Sequence, residues 1–184
     1  FLDGKRITPV TIDIGIHKGC NIHCAYCYGV KQQKGSASIL PNRLLLLADD
    51  AKAAGVRSVA IIGDGEPTMN RGLYPFVKRL KANGVACAVA TNGLLLSPLQ
   101  IDDLTSSCTW LRFNISGVDK YDKIMGAKPH SLPRFERVLK HAVAYKAGCT
   151  IGLQSVLIPD GFSEILPLAQ KAIEWGVDYL VIKQ

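Results

Sequence analysis

Cys20, Cys24 and Cys27 stand in the stretch Gly19-Cys20-Asn21-Ile22-His23-Cys24-Ala25-Tyr26-Cys27, a Cys-x3-Cys-x2-Cys spacing. Thiolates are soft ligands that suit iron–sulfur clusters. A cubane cluster has four irons, so three cysteines in one loop hold three and leave the last open to another ligand. Other readings fit less well. Structural zinc takes four ligands, usually from paired Cys-x2-Cys or Cys/His sets, and the nearby extra candidates are His17 and His23. A ferredoxin-like carrier needs a fourth cysteine, whereas Cys87, Cys108 and Cys149 are isolated along the chain. Six cysteines in 184 residues are too sparse for a disulfide-stapled scaffold.

On these residues, including the aromatic Tyr26 directly before the last cysteine, the stretch resembles the cluster motif of the radical S-adenosylmethionine (SAM) superfamily. The resemblance implies that Cys20, Cys24 and Cys27 ligate a [4Fe–4S] cluster whose remaining iron is chelated by the amino and carboxylate groups of SAM. A second segment, Gly63-Asp64-Gly65-Glu66-Pro67-Thr68, resembles the family's Gly-Gly-Glu-Pro motif, with Asp64 in place of the first glycine. It implies that Gly65 and Glu66 position the SAM amino group and that Tyr26 lies near the adenine. Asn114 and Ser116 resemble the family's fourth-strand ribose contacts, and Thr91-Asn92-Gly93 resembles a recurring segment of the site rim. Gln154 and Ser155 fall where family members contact SAM on the fifth strand.

These residues need a scaffold, and the chain reads as one repeating unit. Apolar segments at Thr11–Ile16, Ser58–Ile62, Val85–Thr91, Trp110–Ser116, Thr150–Val156 and Tyr179–Lys183 are expected to be strands, separated by amphipathic sequence of helical length. Gly55, Gly84, Gly148 and Gly176 are expected to close helices, where a left-handed residue carries no Cβ penalty. Pro41, Pro98 and Pro133 mark helix starts, since their missing amide is unpaired there in any case. The series predicts six parallel strands and five helices. Periodicity alone does not choose between an open doubly wound sheet and a barrel. The resemblance implies an α/β partial (β/α)6 TIM-like barrel with the cluster loop after the first strand. Because the sequence starts at Phe1 and stops on the sixth strand, residues 1–184 are expected to be a radical SAM core domain truncated before its C-terminal continuation.

Strand alternation adds candidates independently. In Leu111–Gly117, the apolar Leu111, Phe113 and Ile115 share one face, and Arg112, Asn114 and Ser116 share the other. In a barrel the polar face looks inward, with Asn114 and Ser116 nearer the top, where chemistry collects at the carboxyl ends of strands. Cys87, Cys108 and Cys149 read as buried hydrophobes. His23, His130 and His141 have no evident partner in sequence, and Val181 and Ile182 read as core. Lys31–Ser38 is expected to be a loop beside the cluster, and the charged Gly117–Pro133 connection part of a substrate entrance.

With 48% hydrophobic and 20% charged residues, the chain can bury an ordinary core. No apolar run approaches the roughly 20 residues that cross a bilayer, so a cytoplasmic location without membrane contact is expected. The net charge of +7 is spread over scattered Lys and Arg residues and reads as a solvated surface. The resemblance implies an enzyme that cleaves SAM reductively, takes its electron from reduced flavodoxin or ferredoxin, and abstracts a substrate hydrogen through a 5′-deoxyadenosyl radical. Peptide or protein modification is the expected branch. RNA modification, or a noncatalytic iron–sulfur module, is the alternative.

Overall fold

The computed structural model describes residue 4, residues 7–30 and residues 35–184. Among them, strands β1 (Thr11–Ile14), β2 (Ser58–Ile61), β3 (Ala86–Thr91), β4 (Trp110–Asn114), β5 (Thr150–Val156) and β6 (Tyr179–Lys183) form one sheet in sequential order. Every pairing is parallel. Helices α1 (Pro41–Ala54), α2 (Leu73–Ala82), α3 (Pro98–Ser107), α4 (Tyr121–Met125), α5 (Leu132–Ala144) and α6 (Ile165–Trp175) occupy the crossovers. Right-handed crossovers that never reverse direction put all helices on one side and curl the sheet toward a barrel. Successive long helices touch, α1 on α2, α2 on α3, α3 on α5 and α5 on α6, as a single outer layer requires.

Alternation decides which face meets that layer. Val59, Ile61, Cys87, Val89, Leu111, Phe113, Ile151 and Leu153 belong to the main hydrophobic core. The opposite face carries rows set by register: Ala60, Ala88 and Trp110, then Ala90, Arg112, Gly152 and Tyr179, then Asn114, Gln154 and Val181. The inside of the arc is therefore small on β2 and β3, and polar or aromatic on β4 to β6. A Cβ on Gly152 would collide with the Tyr179 ring, so the glycine admits that ring into the interior.

Phe135 on α5 centres the packing at one side. Its ring meets Phe113 at 6.1 Å, Trp175 at 6.0 Å and Tyr121 at 5.7 Å, and all four side chains are at least 96% buried. Edge-on aromatic geometry places positive ring edges on negative faces.

The expected strands are present, with β1 and β4 ending two residues early because Ile16 and Ser116 already belong to the loops. Pro41 and Pro98 occupy the first position of α1 and α3, and Pro133 the second of α5. Gly55 and Gly176 are left-handed caps. Gly148 is not, because α5 ends at Ala144 and its cap is Tyr145; the glycine serves the turn entering β5. The Gly117–Pro133 connection contains a sixth helix, α4, whose short length and polar flanks hid its periodicity. No described helix is long and apolar enough to cross a membrane.

Candidate functional site

The loops after β1, β2, β3 and β4 converge at the carboxyl edge of the sheet. The cysteine loop leaves β1, and two backbone bonds dock it on the end of α4: His23 N–H donates to Gly126 O at 3.1 Å and Ala25 N–H to Ile124 O at 2.9 Å. Gly126 has φ 56°, and a Cβ there would run into the His23 backbone. Ile22 anchors the loop in the core, and the Tyr26 hydroxyl donates to Met125 Sδ at 3.3 Å. The Gly117–Pro133 segment thus supports the cysteine loop. Of the Lys31–Ser38 loop, residues 31–34 lie outside the described residues; beyond them, Lys18 N–H donates to Ala37 O, and Ile39 N–H to Ile16 O.

The β2 loop packs beneath the same cysteines. Glu66 N–H donates to Gly19 O at 2.8 Å. Gly65 faces the carbonyls of His17 and Gly19 so closely that no side chain fits. The Glu66 side chain is buried, and four donors converge on its carboxylate: Thr68 N–H at 3.1 Å, Thr68 Oγ1 at 2.6 Å, Thr91 Oγ1 at 2.5 Å and Asn92 N–H at 2.8 Å. Burial pushes this carboxyl above its ordinary value while the donors pull it down. Asn92 then reaches the cysteine loop, its Nδ2 lying 2.8 Å from Asn21 Oδ1 and 3.9 Å from Cys20 Sγ.

The three thiols stand within electrostatic reach of one another. Cys20, Cys24 and Cys27 are half-buried, and burial first, then Cys20 and Cys27, raise the Cys24 thiol to about 11. Burial likewise raises the Tyr26 phenol, with Ser116 and Cys24 beside it. Among the described residues, no group of three or more His, Cys, Asp or Glu side chains is arranged to hold a single metal ion.

On the inner face, Asn114 Oδ1 and Gln154 Oε1 are shielded from solvent and lack a partner, and the two residues pair directly across β4 and β5. Both are unsatisfied acceptors. Ser116 lies at the same rim, buried, with its hydroxyl accepting from Val156 N–H at 2.9 Å. Ser155 alternates to the face opposite Gln154 and is buried there. The thiols of Cys87 and Cys108 are buried 3.7 Å apart, away from this rim.

Two buried links are not evident in the sequence. Asn92 belongs to the rim segment Thr91-Asn92-Gly93, but its bond to Asn21 is seen only in the fold. Glu164, 97% buried, accepts from Val118 N–H at 2.8 Å and Lys120 N–H at 3.2 Å and so fixes the entry to α4. Neither link carries a periodicity signal, because each is made of polar contacts at long range.

Comparisons with known proteins agree with this fold. The family model described as "Radical SAM superfamily" matches residues 14–174. A Sulfurisphaera tokodaii protein named "Probable GTP 3',8-cyclase" is 30% identical over 173 residues, 88% of this chain and 51% of the relative. The GTP 3',8-cyclase of Geobacter sulfurreducens is 32% identical over 117 residues, 61% of this chain and 35% of the relative. The chain therefore spans about half, or less, of the length of these curated relatives. Among solved structures, Streptococcus suis SuiB bound to the precursor peptide SuiA superposes with TM-score 0.78 at 20% identity, over 95% of this chain and 39% of that one. The anSMEcpe protein with bound AdoMet superposes with TM-score 0.75 at 18% identity, over 96% of this chain and 51% of that one. These structures share the six-strand arc, and the family match spans the cysteine loop and every strand from the end of β1 to β5: the chain belongs to the radical SAM superfamily.

Proposed function

We propose that this chain is the catalytic core of a radical SAM enzyme, with residues 1–184 forming one functional domain. Cys20, Cys24 and Cys27 would hold three irons of a [4Fe–4S] cluster, and the cysteine loop together with the inner face of β4 and β5 would hold SAM. When bound, these groups supply reductive cleavage of the sulfonium and a 5′-deoxyadenosyl radical that takes a substrate hydrogen atom. The observation that carries the reading is the pair of orphaned acceptors, Asn114 Oδ1 and Gln154 Oε1, on the rim where Ser116 meets Tyr26 of the cysteine loop. A buried acceptor without a donor costs roughly 1–3 kcal/mol, and ribose hydroxyls or an ammonium supply the missing donors. A cubane spreads its ligands over separate corners, so it needs thiols around a space instead of one point.

The chain's own groups have distinct tasks. Tyr26 and Ser116 shape the adenosine side. The loop at Gly65 sets the distance between the β2 turn and the cysteine loop. With four donors on its carboxylate, Glu66 acts as a positioning residue for Thr91 and Asn92, and main-chain oxygens of the β2 loop remain to receive the SAM ammonium. Reduced flavodoxin or ferredoxin delivers the electron.

For the substrate, a peptide or protein segment fits an arc whose β1 and β6 edges are unpaired with each other among the described residues. A nucleotide is the second reading, favoured by the 30% identity to the protein named as a GTP cyclase. Anaerobic reconstitution tests the core assignment. Wild-type protein is expected to bind about four irons and four sulfides per chain. Cys20→Ala, Cys24→Ala and Cys27→Ala abolish that, whereas Cys87→Ala, Cys108→Ala and Cys149→Ala retain it. Stoichiometric zinc without iron refutes the reading.

A further inference from the structure

Arg112 is the conspicuous group that the proposed cofactor site does not use. It lies on the inner face of β4, one row below Asn114 toward the amino-terminal end of the arc. Its Nε is shielded from solvent and has no acceptor, and among the described residues no carboxylate forms an ion pair with its guanidinium. The charged group lies over the face of Trp110, 4.9 Å from Cζ to the ring centroid. With Nε shielded from water and without an acceptor, cation–π attraction offsets only part of the cost of that burial. A half-buried Arg lying over an indole, with its Nε unpaired and no carboxylate beside it among the described residues, is preorganised for an oxyanion, which it can take bidentately.

The surroundings leave room for that ligand. Arg112 pairs across the sheet with Ala90 on β3, whose methyl leaves the neighbouring position open, and with Gly152 on β5, where the Tyr179 ring closes the far side. Below, toward the amino-terminal end of the strands, a cavity of about 320 Å³ is lined by Thr11, Ser58, Ala60, Ala88, Thr109 and Trp110, and the ring that Arg112 lies over forms part of its wall. The row above holds acceptors, Asn114 Oδ1 and Gln154 Oε1, which repel an anion and attract hydroxyls or ammonium. Donor and acceptor layers are therefore stacked along one wall.

We infer that Arg112 anchors an oxyanion of the substrate, a phosphate or a carboxylate, inside the arc on the amino-terminal side of the Asn114–Gln154 pair. This rests on the radical SAM reading only for calling the ligand a substrate; the anion site follows from Arg112 and its neighbours. The anchored end then fixes which hydrogen of the substrate faces the rim.

The test uses full-length protein with its cluster reconstituted, titrated with inorganic triphosphate and, separately, with glutarate. Trp110, beneath the guanidinium, reports binding through its fluorescence, and Trp175→Phe removes the signal of the other tryptophan within residues 1–184. At least one probe is expected to bind, which identifies the oxyanion class. Arg112→Gln is expected to weaken that probe about ten- to a hundredfold, as loss of a charge-assisted contact does, and Arg112→Lys to retain part of the affinity. Thermal melts establish that the variants are folded; if Arg112→Gln is not, Arg112→Lys and the overpacked Ala90→Val, which keeps the charge but fills its flank, decide the matter by the same titration. The inference is overturned if neither probe binds wild type, if probe affinity ignores these substitutions, or if Arg112→Gln weakens SAM and not the probes, which assigns the guanidinium to the cofactor carboxylate. Iron, sulfide and SAM binding measured on the wild-type sample report the radical SAM reading separately.

Discussion

Asn92 donates its backbone N–H to Glu66 Oε2 at 2.8 Å and, through its side chain, reaches Asn21 Oδ1 at 2.8 Å. One residue thereby ties the β2 loop to the cysteine loop through the end of β3. The relay has a rigid member, since Glu66 is buried and saturated with donors, and an adjustable one, since the Asn92 amide meets an exposed loop residue.

Glu66→Ala is accordingly expected to do more than weaken SAM. It strands the Thr91 hydroxyl and the Asn92 N–H in a buried place, a loss of about 1–3 kcal/mol for such unsatisfied groups. Glu66→Gln keeps one acceptor oxygen but turns an amide donor toward either Thr68 and Thr91 or the Asn92 N–H. Urea unfolding measures the stability loss, and calorimetry with SAM measures the cofactor. A variant of wild-type stability with weakened SAM binding makes Glu66 a direct cofactor contact instead.

Phe135→Ala is expected to cost about 3–5 kcal/mol, because the ring joins Phe113, Tyr121 and Trp175 at a fully buried point. Its second effect is functional. Tyr121 opens α4, and α4 carries the cysteine loop, so iron retention falls along with the melting temperature. Parallel measurement of iron content and thermal unfolding checks both. Phe135→Leu, which leaves a smaller cavity, lies between the two.

The contrast between these two variants also marks what the sequence could convey. The strands were legible because Leu111, Phe113 and Ile115 alternate with Arg112 and Asn114, and burial follows that period of two. The thiol loop was legible because its ligands are consecutive in sequence. Helix α4 was not, since five residues give little more than one turn of pattern and its stability comes from Glu164 and Phe135, which lie far along the chain. The orphaned state of Arg112 was invisible for the same reason: alternation says which way a side chain faces, but only the fold says whether a partner waits there.

Gly126 and Gly84 separate backbone conformation from docking. Both have positive φ, 56° and 73°, so alanine at either carries the cost of a left-handed residue, roughly 1–2 kcal/mol. Only at Gly126 does the added Cβ enter the His23 backbone. Gly126→Ala is therefore expected to displace the cysteine loop and lose iron, while Gly84→Ala, with open space around it, loses a similar increment of backbone stability and keeps full iron loading. Equal iron content in the two variants shows that the α4 contact does not position the cysteines.

Asp178 makes the stability of the fold depend on pH. It sits at the turn into β6, where Lys146 Nζ meets Oδ1 at 2.6 Å and the Ile151 N–H donates to Oδ2 at 2.7 Å. The Lys146 bond first, then the Ile151 amide, hold its carboxyl below the ordinary 3.8. A depressed folded value means that the ionised form is favoured by folding, so the contribution is present above 3.8 and disappears as pH falls through the lower folded value. Because the carboxylate is partly exposed, the effect is modest and shrinks with added salt. Asp178→Asn keeps an acceptor for Ile151 and discards the charge. Urea unfolding of wild type and variant between about pH 3 and pH 7 is expected to give a stability gap at the upper end that narrows on acidification. A gap that is constant across this range assigns the role of Asp178 to its hydrogen-bond geometry alone.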